Sequence, residues 1–430
     1  MMGLKKLHTV RILSFLKNKM DIHCITFTLI ICLVITITAA ADIGGSGGEI
    51  IYEDGYTYHL FTEEDTFEPP DGINEVEVLI VAGGGGGGGA VTGAGGGGGA
   101  GGLINDFESV SSSVDVTVGR GGNGGQPGER GEDGANSSFG SREADGGGGG
   151  GSTDTNQIAG RAGGSGGGGG SGTATGGSTS SGDGIAGQGH DGGEGFRAGQ
   201  SRNRSGGGGG GAEEPGVDAE NRSAGDGGDG SYFEQFLNFG DNGYFAGGGG
   251  GGGDTAGSGG NGGGGSGQAD TCGDGENAKP ETGSGGGGAF CLIEEGFSGG
   301  NGADGIVIVR YPTIPVIQVE GDICFEIGAG DFGSVLSDDS SHLSWIGTGD
   351  NKITVEIETG EVPEGLELTV DSDRAEAETI LTNTARNFIT DIGEERIIDH
   401  TLTYRLKFIE DIIPAAGETD LTVKYTITDQ

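Results

Sequence analysis

The chain has 430 residues, of which 106 are glycine, and a formal net charge of −43. So much acid excludes a nucleic-acid binder, which needs Lys and Arg to displace phosphate counterions. It favours basic surfaces, divalent cations or a saline setting, and acid spread over a low-complexity surface also keeps that surface soluble.

Lys5, Lys6, Arg11, Lys17 and Lys19 precede an apolar run at 25–38 and the small residues Ala39-Ala40-Ala41. This order reads as a secretory signal peptide over 1–41, with Asp42 the first mature residue. The run is shorter than the ~20 apolar residues of a membrane span, so membrane contact is expected only if the segment stays uncleaved. A secreted or cell-surface location follows. Residues 42–49 form a Gly/Ser spacer, and strand-like text begins at Ile50.

Asp54-Gly55 and Pro69-Pro70-Asp71-Gly72 are turn signals between apolar segments. Val76, Val78 and Ile80 alternate with Glu75, Glu77 and Leu79, which predicts a strand half buried at its start and fully buried at its end. It runs into glycine at 83–89, and further pure-glycine runs follow at 95–99, 146–151, 166–170, 206–211, 247–253, 262–265 and 285–288. Such blocks suit a flexible linker. They equally suit a bundle of polyproline-II-like glycine helices with three residues per turn, where six residues make a rod of about 19 Å. Those helices hold no internal hydrogen bonds, so each must find partners on its neighbours. Val114, Val116 and Val118, then Ile306, Val307, Ile308 and Val309, supply strands beyond the runs. Strands on both sides of the glycine point to a β base from which glycine helices project.

Phe61-Thr62, Thr66-Phe67, Pro69, Gly72-Ile73 and the strand at 76–82 leading into glycine resemble the opening of the glycine-rich domain family. Residues 114–125, 134–140 and 304–311 resemble its middle and closing signatures, so the likeness spans about 50–311. It implies a polyglycine-II bundle on a β base, as in phage tail-fibre adhesins, whose tip loops contact the host, and in the anaplastic lymphoma kinase ectodomain. The chain departs from both in its acidity and C-terminal module, and a shared fold transfers no ligand.

Between the runs, 231–246 carries the aromatic residues Tyr232, Phe233, Phe236, Phe239, Tyr244 and Phe245. Tyr232, Phe236 and Phe239 stand at helical spacing, with Ser231 placed to cap and Gly240 to stop a short helix. Exposed, these side chains would be a recognition loop for a cell-surface protein or glycan; packed back on the base, they would be a satellite core. Arg197, Arg202 and Arg204 suggest local ion pairing. Cys272 and Cys291 flank a Gly-rich loop and suit a disulfide in an exported protein, leaving Cys324 odd and expected to be buried. Asn136, Asn203 and Asn221 open glycosylation sequons.

After Tyr311 the composition changes. Ile353/Val355/Ile357, Leu366/Leu368/Val370, Leu402/Tyr404/Leu406/Phe408 and Leu421/Val423/Tyr425/Ile427 alternate with polar residues over 312–430. About seven strands are predicted, a small antiparallel β-sandwich.

His59, His190, His342 and His400 sit in no nucleophile or zinc motif, and Gly-Lys for a phosphate loop is absent. No enzyme and no metal site is expected. Glu63-Glu64-Asp65, Asp338-Asp339 and Asp371/Asp373 offer calcium-type oxygens but complete no EF-hand, so calcium is a minor option. The sequence thus leads to an exported, non-enzymatic adhesive or display protein. Self-assembly into a structural matrix is the alternative, and ice binding a second one.

Overall fold

The computed structural model describes residues 4–14, 44–154, 156–172, 177–197, 203–270, 272–293, 295–321, 323–327, 334–409 and 417–429. It is mainly β, in several antiparallel sheets, and among the described residues the only helical turn is a 3-10 turn at Glu234–Phe236. The chain divides into two compact units: Ser46–Ile51 with Tyr58–Tyr311, and Met1–Gly45 and Tyr52–Thr57 with Pro312–Gln430.

In the first unit, Glu75–Val81 pairs antiparallel with both Leu103–Ser109 and Ile306–Pro312, Val81 standing opposite Leu103 and Ile306. Burial along Glu75–Val81 rises as expected, from an exposed Glu75 to buried Leu79, Ile80 and Val81. A second sheet joins Asp65–Phe67, Val114–Thr117, Ser137–Phe139 and Arg142–Ala144. Alternating side chains from the two sheets, including Phe67, Val78, Val116, Phe139 and Val309, share one apolar core. Each large side chain buried there contributes roughly 1.5–3 kcal/mol.

Where Glu75–Val81 enters glycine, the hydrogen bonding changes from a ladder to a period of three. Gly85 and Gly88 donate to Gly99 and Gly96; Gly83 and Gly86 donate to Ala135 and Glu132; Gly84 and Gly87 donate to Ala303 and Gly300. The run at 95–102 is enclosed completely. Every N–H along it is bonded at 2.7–3.0 Å to the runs at 145–151, 206–211 or 283–289. Its carbonyls, apart from that of Gly101, accept from 82–89, 165–171 and 247–253. Those six runs also bond one to the next: Gly147 to Gly83, Gly148 to Ser165, Gly207 to Gly169, Gly209 to Gly249, Gly285 to Gly247 and Gly286 to Gly85. They close a ring around 95–102 in chain order.

Close approach, not an unusual φ, is why these positions are glycine. No glycine at 95–99 has a left-handed φ, yet a Cβ on Gly97 would lie 2.0 Å from the Gly249 carbonyl oxygen. Gly131 and Gly134 make a bare edge in the same way, facing the oxygens of Gly86 and Gly83.

In the second unit the expected alternations are all present, and their inward residues form one core around Trp345, Tyr404 and Tyr425. The small β-sandwich expected here takes the form of a single hydrogen-bonded sheet. The strands join one eight-stranded sheet, and its two longest members, Val335–Thr359 and Arg386–Phe408, run antiparallel through most of their length. Val316–Glu320 pairs with the first half of Val335–Thr359, and Gly417–Asp429 with the second. Register shifts at Thr348/Asn351, beside left-handed Gly349 and Asp350, bend the ribbon. Bulges of this kind let a strand pass from one layer to the next, so both halves cover the same core. Gly349-Asp350 is therefore a bend inside a strand.

Leu4–Ser14 is a strand, antiparallel to Gly417–Asp429 and parallel to Ile323–Ile327. The apolar run at 25–38 lies outside the described residues. Among the described residues no helix is long and apolar enough to cross a membrane.

Candidate functional site

The aromatic loop is built on a two-stranded ladder, Ser231–Tyr232 against Tyr244–Phe245. The predicted helix is only the Glu234–Phe236 turn. Ser231 is spent in the ladder, and left-handed Gly240, Asn242 and Gly243 fold the chain back before a second turn can form. Phe236 and Phe245 are completely buried. Phe236 and Phe239 pack on Tyr58, with ring centroids 6.4 and 5.5 Å away. The Tyr58 hydroxyl donates to the Gln235 carbonyl at 3.3 Å, and Gln235 Nε2 donates to Glu77 at 2.9 Å. Glu77 in turn holds Arg310, whose guanidinium lies 5.7 Å from the Tyr58 ring centre. Half of the loop is thus satellite core. Tyr232 and Leu237 remain 48% and 51% exposed, while Phe233, Phe239 and Tyr244 are half-buried.

Beside the loop runs an open groove of about 1050 Å³. One wall is the start of Leu103–Ser109; the other is the segment around Gln188, His190 and Asp191, and Phe233 lies at its margin. Arg142 reaches into it, ion-paired with Asp106 and, at 2.7 Å, with Glu108. Gln188 is fixed by Asp145, which its Nε2 meets at 2.9 Å.

A third feature lies on the outer glycine runs. Asp133 and Asn136 accept from the N–H groups of Gly149 and Gly146 at 2.9 Å. Asp226 and Asp229 accept from Ser258 and Asn261, at 2.7 and 2.8 Å. Asp274 and Asn277 take Ser298 and Asn301, while Asn301 and Asp304 take Gly124 and Gly121. Each side-chain oxygen occupies the place that a neighbouring carbonyl takes further inside.

The model of a glycine-rich domain matches residues 61–312. That is more than half of the chain. This chain belongs to the glycine-rich domain family. A comparison with curated proteins found no match.

In the glycine-rich domain, Cys272 and Cys291 stand at disulfide distance, 2.10 Å between sulfurs. The arginine cluster behaves differently from expectation. Arg204 Nη1 donates to the Thr92 carbonyl at 2.9 Å rather than to a carboxylate, and burial lowers its pKa. Arg197 is half-buried opposite Arg204, and Arg202 lies outside the described residues. Asp65, read as a calcium option, accepts from the Gly48 and Thr66 N–H groups at 2.8 Å, which lowers its pKa. Among the described residues no group of three or more His, Cys, Asp and Glu is placed to hold a metal ion.

Beyond the domain, one expectation changes and one cluster is new. Cys324 is exposed, not buried, because it alternates with inward Ile323 and Phe325. Ser372, Asp373 and His400, which spacing does not associate, come together: His400 Nε2 is 2.8 Å from Ser372 Oγ and 2.7 Å from Asp373 Oδ1. Both partners share one ring nitrogen. A relay needs the carboxylate on the other nitrogen, so this is not the geometry of a nucleophilic triad.

Sequence reasoning missed the Asp/Asn contacts of the outer runs. Their signal is Asp or Asn followed by Gly and repeated three residues on, as in Asp226-Gly-Gly-Asp229 and Asn301-Gly-Ala-Asp304.

Proposed function

We propose that the glycine runs form a polyglycine-II bundle, and that the chain is an exported, non-enzymatic adhesive or display protein. The enclosed run at 95–102 carries this reading: a backbone bonded on every side makes a stiff body that holds surface side chains in fixed places. Tyr232 and Leu237 are exposed on a loop whose Phe236 and Phe245 are buried, and the Tyr232 ring lies 4.8 Å from that of Tyr244, so the loop offers the aromatic surface that interface hot spots favour. The C-terminal unit would anchor the bundle or add a second contact; a mature chain beginning at Asp42 would keep that unit's other strands and lose Leu4–Ser14.

Deleting the loop would strip buried Phe236 and Phe245 and upset the base. The sharper test is Tyr232→Ser with Leu237→Ser, assayed for attachment of the purified protein to cells and immobilised glycans. The reading expects attachment by the native protein and its loss in the variant, with thermal unfolding unchanged. No attachment by the native protein, or full attachment by the variant, overturns it. Assembly into a matrix instead would appear as oligomers that grow with concentration in both proteins.

A further inference from the structure

We infer that the groove beside Leu103–Ser109 binds an extended, basic peptide segment of another protein by adding a strand to that edge. The inference deepens the display reading by naming a site and a partner class. Its test reads peptide binding and not attachment to cells, so either can fail without the other.

Leu103–Ser109 is the last strand of its five-stranded sheet. Its inner edge is bonded to Glu75–Val81. Leu103 N–H instead donates to the Gln188 carbonyl, at 3.0 Å, and so points away from that partner. Backbone groups of an antiparallel strand alternate in direction, so the N–H and C=O of Asn105 and Phe107 point the same way. Asn105 lines the groove and is exposed, and among the described residues none accepts a hydrogen bond from its outward N–H. At Phe107, by contrast, the Asp106 carboxylate accepts from the N–H at 2.9 Å, and the ring is 63% exposed. Blocking of this kind is how sheets limit edge pairing. The open stretch is therefore short and centred on Asn105. Its walls give an added strand side-chain sites at Phe233 and His190.

Charge selects the occupant. Asp191 lines the groove, and its Oδ1 already accepts from Gly184 N–H while Asp106 and Glu108 share Arg142. The whole chain carries −43, so a second copy of it would be repelled. A strand with alternating Lys and apolar residues matches both the backbone edge and the field.

The probe is an alternating Lys-Val octapeptide, with the Glu-Val peptide as its control, titrated against the full chain. Binding of the Lys-Val peptide alone is expected, weakening as salt rises. Asn105→Pro removes the outward N–H without touching a ladder bond and should weaken binding about tenfold. Should that variant fold poorly, a Lys-Val peptide N-methylated at alternate amides makes the same cut from the ligand side and should not bind native protein. No binding of the Lys-Val peptide, equal binding of the Glu-Val peptide, or undiminished binding of the N-methylated one overturns the inference.

Discussion

Gly97 and Gly393 are the same residue type under opposite constraints. A methyl on Gly97 meets the Gly249 oxygen at 2.0 Å, whereas a methyl on Gly393 meets nothing within 4 Å. Gly97→Ala should therefore destabilise the first unit by roughly 3 kcal/mol or more, because no side chain can yield. Gly393→Ala should be neutral or stabilising by about 0.4–1 kcal/mol through the unfolded chain. Denaturant unfolding of the two variants checks both. His59 gives a second residue-scale prediction. It is fully buried, with Nδ1 2.7 Å from the Gly47 carbonyl oxygen and Nε2 2.8 Å from the Tyr311 hydroxyl. A neutral ring donates through Nδ1 to the first and accepts through Nε2 from the second. Burial lowers its pKa from 6.5 to about 4. The unfolded chain thus binds the proton more readily, so stability is present above pH 6.5 and falls as pH drops towards 4. The loss is about 3 kcal/mol across that window. His59→Gln should unfold with a shallower pH slope there; an unchanged slope would assign the acid sensitivity to other groups.

At the scale of elements, the Asp and Asn side chains of the outer runs act as hydrogen-bond acceptors, not only as solubilising charge. Asp229→Asn keeps an oxygen for the Asn261 N–H, gives up only the exposed bond from Asn261 Nδ2 to the other carboxylate oxygen, and should cost little. Asp229→Ala leaves that N–H to solvent and should cost about 0.5–1.5 kcal/mol. Equal effects of the two substitutions in thermal unfolding would return Asp229 to the role of a mere charge. The strands were legible because alternation encodes a buried face, as in Val76, Val78 and Ile80. The short helix expected between Ser231 and Gly240 is a single turn because Ser231 is held in the ladder and left-handed Gly240, Asn242 and Gly243 fold the chain back at once, which helical spacing alone does not encode. The Asp-x-x-Asp spacing was present but had no meaning until the three-residue period of the neighbouring N–H groups was known. The curled sheet at 312–430 escaped for a similar reason: a bulge inside a long strand reads like the end of a short one.

For the molecule as a whole, the neighbours of each glycine run could not be read from sequence. Identical glycine runs carry no side chains to specify a partner, so order in the ring comes from the strands and turns that deliver each run. The ring follows chain order, which keeps the connections short. Cohesion in the first unit then has two sources, an apolar core between sheets and a backbone network through the glycine. The adhesive reading depends on the second being rigid. Amide hydrogen exchange resolved at residues 95–102 tests this most directly. An enclosed run predicts strong protection at every one of these amides, comparable with Val78 and Val307 in the strands. Uniformly fast exchange at 95–102 beside protected strands would contradict it.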